Sequence, residues 1–224
     1  MHGTLLGWFW NQKILPWDSD IDVQVSGQTI EYLARYWNMS VHEFEIDPDF
    51  ELEDSSLEIG VKRKNKVEGR DRRDGDGDGE GKRRKEKRKY MLEVNPHYIN
   101  PSPTDTLNVI DARWIDLSTG LFIDITAIHP DPDPSPFLPP SSSEQENTQD
   151  QHLICKDNHH YLASQIFPLR ESELEGMRVW VPYRYREVLE EEYGGGALVD
   201  TRFERYVFDL GRGVWVMEGE GGKE

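Results

Sequence analysis

The run Pro16-Trp17-Asp18-Ser19-Asp20-Ile21-Asp22-Val23-Gln24-Val25 constrains the fold more than any other part of the chain. Its carboxylates alternate with other residues as the segment becomes apolar and β-branched. In a strand, successive side chains point to opposite faces, so Asp20 and Asp22 project together from one face. Asp18 shares the alternation, but Pro16-Trp17 before it equally allows an entry turn. Two acids held side by side repel, and burial raises the cost. A fold that keeps them there has a cation to hold. Mg²⁺ is the natural candidate, because it takes carboxylate oxygens together with substrate phosphates.

Upstream, Gly3-Thr4 reads as a turn, and Leu5–Trp10 as a short buried helix after it. Asn11-Gln12-Lys13 reads as a second turn. Downstream, Ile30, Leu33, Ala34 and Trp37 have helical spacing within 28–38, and Val41–Ile46 alternates like a half-buried strand. Tyr90–Val94 is another short strand. Ala112–Leu117 and Leu121–Ile128 are apolar runs around Ser118-Thr119-Gly120, which predicts a hairpin with Gly120 at a positive φ. Residues 157–165 are compatible with a short helix. Met177–Val181 reads as a strand between Gly176 and Pro182, and 184–193 as a helix ended by Gly194.

The stretch HGTLLGWFWNQKILPWDSDIDVQV resembles the LicD family, which includes bacterial phosphocholine transferases, fukutin and fukutin-related protein, and fungal proteins linked to mannosylphosphate transfer. FPLRESELEGMRVWVPYRYREVLEEEYG is similar to the family's C-terminal part. The resemblance implies one nucleotidyltransferase-like domain over 1–224. It would be an α/β (α+β) fold, with a mixed, mostly antiparallel sheet flanked by helices. It also implies that Gly3-Thr4 lies near phosphates and that Asp20 and Asp22 bind Mg²⁺ or Mn²⁺. The strand Ile123-Asp124-Ile125 would lie beside them and make Asp124 a third ligand, or a base toward the acceptor hydroxyl. The implied substrates are a nucleotide-activated donor (GDP-mannose, or a CDP-alcohol) and a glycan acceptor, in the Golgi or another endomembrane lumen. Family members carry further structure before this point, often with a membrane anchor, so the chain reads as truncated at its N-terminus.

Two insertions interrupt the resemblance, at 62–89 and 130–150. The first holds 14 Lys+Arg, 7 Asp+Glu and no aromatic residue, so it reads as a disordered loop. Asp74-x-Asp76-x-Asp78-Gly79 opens like a Ca²⁺ loop, but Lys85 stands where a bidentate Glu belongs. Lys82–Lys89 also suits a nuclear localisation signal or a polyanion patch. Net charge is −17 overall and −24 outside 62–89, which argues against a nucleic-acid partner.

Basic residues for donor phosphates are sparse. Lys13 and Arg170 are the first choices, ahead of Arg113, Arg178 and Arg184. Asp116 is expected to face solvent. His2 is placed equally well near the phosphates or as a capping or core-edge residue. His152, Cys155, His159 and His160 fit no common zinc spacing. Cys155 is the single cysteine, which excludes an intrachain disulfide.

Overall fold

A computed structural model describes residues 2–46, 86–100, 109–132, 150–156 and 159–219. The central sheet has seven strands. Six follow the order β2 (Ser40–Ile46), β3 (Glu86–Val94), β4 (Ala112–Asp116), β5 (Phe122–Pro130), β6 (His152–Ile154) and β7 (His160–Leu162). All of these pairs are antiparallel. The seventh strand, β1 (Ile21–Ser26), pairs parallel with β5. The result is an α+β fold with a mostly antiparallel sheet and helices on both faces.

Alternation along β5 divides the core in two. Ile125 and Ala127 face one side, where Ile30 of α2 (Gly27–Tyr36) packs with Leu92, Val94 and Ala112. Ile128 lies on the opposite side. There Leu5 of α1 (His2–Asn11), Tyr161, and Val188 and Leu189 of α4 (Tyr185–Tyr193) form a second cluster. Ser26 caps α2, its hydroxyl accepting from the Thr29 amide. The predicted hairpin forms between β4 and β5, with Gly120 at φ 77°.

Three expectations change. Gly3-Thr4 is the first turn of α1 rather than a turn before it. Residues 86–89 are strand, not loop: β3 begins at Glu86, four residues before the apolar segment. Across the pair, Glu43 of β2 binds Lys87 at 2.7 Å, so charge complementarity extends a strand that hydrophobicity does not mark. The helix expected from 157 is instead β7, followed by a four-residue helix α3 (Ala163–Ile166). Pairing with β6 buries Tyr161 and wins over local propensity. The Ca²⁺-like run and most of both insertions lie outside the described residues.

The C-terminal part adds a hairpin, β8 (Arg170–Leu174) and β9 (Met177–Val181). After α4 come a 3₁₀ turn (Gly195–Leu198) and a small meander of β10 (Arg202–Phe203), β11 (Tyr206–Asp209) and β12 (Val214–Met217). The meander clamps the loop that leads to β1. Trp17 lies 4.9 Å from Phe203 and 5.0 Å from Trp215, and Trp10 lies 5.0 Å from Trp215.

Candidate metal centre

The parallel register of β1 and β5 sets Asp22 directly beside Asp124. Residues opposite one another in register share a face, so both carboxylates point the same way. Asp20, two residues before Asp22, joins them. One carboxylate oxygen from each of Asp20, Asp22 and Asp124 lies within 4.8 Å of the other two. Among the described residues this is the one group of three or more His, Cys, Asp or Glu side chains so arranged. Asp124 is buried, and the other two are half-buried.

The hairpin supplies the counter-charge. Arg113 on β4 is in register with Asp124, and its Nε donates to Asp124 Oδ1 at 2.7 Å. A second nitrogen, Nη2, reaches Oδ2 at 3.4 Å. The guanidinium also lies 4.4 Å above the Phe122 ring. The hydrogen bond to Asp124, more than any other influence, raises the Arg113 pKa. One half-exposed arginine faces three acids, so the cluster keeps negative charge to spare. Three oxygens of hard donors around one point suit Mg²⁺ or Mn²⁺ in chemistry and number.

Asp18 borders the cluster. Burial, then a hydrogen bond to Asp20 and the charges of Asp20 and Asp22, push its carboxyl up to about 6, against a smaller opposing bond from Ser19. Its Oδ2 is sealed from solvent without a hydrogen-bond partner among the described residues. Gly3 makes this burial possible, since a Cβ there would stand 2.3 Å from that oxygen. Gly7 has a similar role one helical turn later. A Cβ there would meet the Lys13 carbonyl at 2.4 Å, so the loop carrying Lys13 lies directly on α1.

Other expected site residues divide. The Thr4 hydroxyl accepts from the Asp22 backbone amide at 2.8 Å, so it pins the strand that carries the acids. Arg170 sits at the start of β8, stacked 5.1 Å from the Tyr183 ring. Arg178 and Arg184 make surface ion pairs with Glu171 and Glu187. Asp116 corrects its solvent-facing assignment. It is buried and accepts from the Ser118 and Thr119 amides, because the hairpin turn needs an acceptor there. His2 opens α1. Cys155 is buried in the core, and His160 pairs with Asp131 at 3.1 Å.

Arg113 was the undervalued residue. A hairpin centred on Ser118-Thr119 pairs 113 with 124, so its partnership with Asp124 follows from the turn position.

Residues 1–67 match the family model described as the LicD/FKTN/FKRP nucleotidyltransferase domain. The match contains α1, Asp20 and Asp22. Over that segment the chain matches the LicD family. Two relatives from Saccharomyces cerevisiae extend the likeness beyond that segment. Mannosyltransferase regulator 4 is 31% identical over 153 residues, covering 68% of this chain and 10% of its own length. Mannosyltransferase regulator 14 is 24% identical over 189 residues, covering 84% of this chain and 16% of its own length. The chain thus spans a small fraction of the length of these two relatives.

Proposed function

We propose that this chain carries a metal-dependent phosphotransferase site. It would move a phosphorylated sugar or alcohol from a nucleotide-activated donor to a glycan of a glycoprotein. The convergence of Asp20, Asp22 and Asp124 across two strands a hundred residues apart carries this reading. Three carboxylates with one arginine between them oppose stability unless they serve a cation. These three residues would hold Mg²⁺ or Mn²⁺, which when bound would offset charge on the donor phosphates. Thr4 fixes Asp22 through its backbone, and Arg113 fixes the orientation of the Asp124 carboxylate. From that position Asp124 serves as a ligand or accepts the proton of the attacking glycan hydroxyl. Mannosylphosphate transfer from GDP-mannose is favoured because both relatives are named for mannosyltransferase regulation. A CDP-alcohol is the alternative donor. The compartment consistent with this chemistry is the Golgi or a neighbouring endomembrane lumen.

The same names favour a second reading, in which the chain regulates a separate mannosyltransferase and transfers nothing itself. One titration separates the two. Purified chain is titrated with GDP-mannose and with CDP-ribitol in the presence and absence of Mn²⁺, beside Asp20→Asn and Asp22→Asn. The catalytic reading expects Mn²⁺-dependent saturation that both variants abolish. Binding indifferent to Mn²⁺ and to both substitutions would leave the regulatory reading.

A further inference from the structure

Among the described residues, strand β1 pairs with β5 along one edge only. The Asp22 amide points away from β5, toward Thr4 on α1. By strand alternation, the amide and carbonyl of Gln24 turn the same way. They face a groove of about 1530 Å³, lined on the near side by 21–29 and on the far side by the β8–β9 hairpin. This volume exceeds the roughly 300–1,000 Å³ of ordinary small-molecule sites. Its far wall is apolar and open to solvent: Trp180 is 59% exposed and Met177 58%, with Phe167 and Leu169 beside them. The lining includes Asp22, Glu31 and Glu175 but no lysine or arginine among the described residues. Such a groove suits a chain with backbone groups to pair, apolar side chains and a positive charge.

We infer that the groove binds an extended polypeptide segment, which adds a strand to the free edge of β1. Its backbone pairs with Gln24, its apolar side chains rest on Trp180 and Met177, and a basic residue faces the rim carboxylates Glu31 and Glu175. Strand addition combines ladder hydrogen bonds for affinity with alternate side-chain pockets for selection. This assignment is independent of whether the acid cluster transfers phosphate.

The test uses the full chain and a fluorescein-labelled hexapeptide of lysine followed by alternating valine and threonine. Fluorescence anisotropy is read against two controls, a glutamate-for-lysine peptide and a peptide N-methylated on alternate amides. Saturable binding is expected for the parent peptide, about tenfold weaker for either control and for Trp180→Ala. Hydrogen exchange at the Gln24 amide should slow when the parent peptide binds. Trp180 is exposed and outside the acid cluster, so an unchanged urea-denaturation midpoint for Trp180→Ala shows that the variant is folded. Equal binding of the parent and N-methylated peptides, or no saturation by either, overturns the inference. Concentration-dependent dimerisation lost in Trp180→Glu would assign the groove to a second copy, and flotation with phosphatidylcholine vesicles lost in that variant would assign it to lipid. Both outcomes also overturn it.

Discussion

Two buried aspartates lie thirteen residues apart on the β4–β5 hairpin and its approach, and they are handled in opposite ways. Asp111 is fully buried. Lys156, itself buried, places its ammonium 2.6 Å from Oδ1, and the Ala127 amide donates to Oδ2 at 2.7 Å. The same ammonium donates to the His97 carbonyl. Each charge is matched by another inside the protein. Asp124 is almost as buried, yet its neighbours are two more acids, Asp22 on β1 and Asp20 just before it, and its one cationic partner among the described residues is 44% exposed. A carboxylate compensated from within stabilises the fold, whereas one surrounded by its own kind leaves room for a cation from outside. Burial alone does not distinguish these cases, and the sign of the surroundings does.

The comparison breaks most visibly at Lys156. Lys156→Ala leaves the buried Asp111 carboxyl without its cationic partner, and should cost about 3–5 kcal/mol of unfolding free energy in urea. Mn²⁺ affinity of the remaining folded protein should not change. A loss below about 1 kcal/mol would mean that Asp111 is not compensated by Lys156 as the geometry indicates.

The two sites also differed in how far the sequence revealed them. Asp22 and Asp124 stand in apolar strands, with Asp20 just before one of them, where alternation marks an acid as out of place, and the turn at 118–120 fixes which residues face each other. The Asp111–Lys156 pair has no local spacing, because it depends on β6 returning beside β5 after an insertion. Strand β8 (Arg-Glu-Ser-Glu-Leu) carries no hydrophobic signal, since its partner is a single strand with solvent access. The meander strands are two to four residues long, and their aromatic residues become meaningful only once Trp10 and Trp17 are placed against them. Local alternation was therefore legible, and long-range compensation was not.

An intermediate effect is expected at Arg113, which gives Asp124 its only described cationic contact. Arg113→Gln in metal-free protein should lose about 1 kcal/mol, discounted for the solvent around the guanidinium. Saturating Mn²⁺ should restore most of that loss, because a bound cation takes over the compensation. If Mn²⁺ restores nothing, the arginine supports packing on Phe122 rather than the acids.

The smallest effect on metal-free stability is predicted where the residue matters most for binding. Asp22→Asn keeps the backbone amide that Thr4 accepts, so strand β1 stays in place. It removes one of three mutually repelling charges, so the metal-free variant should match or slightly exceed the parent chain in urea denaturation. Excess Mn²⁺ then separates the two proteins. At a concentration of 100 Kd, a cation that binds only the folded state adds about 2.7 kcal/mol to the parent, and the variant should gain little of this. The opposite pattern, with Asp22→Asn unstable without metal and equally stabilised by Mn²⁺, would place Asp22 with Asp111 as a structural acid and remove the contrast between the two regions.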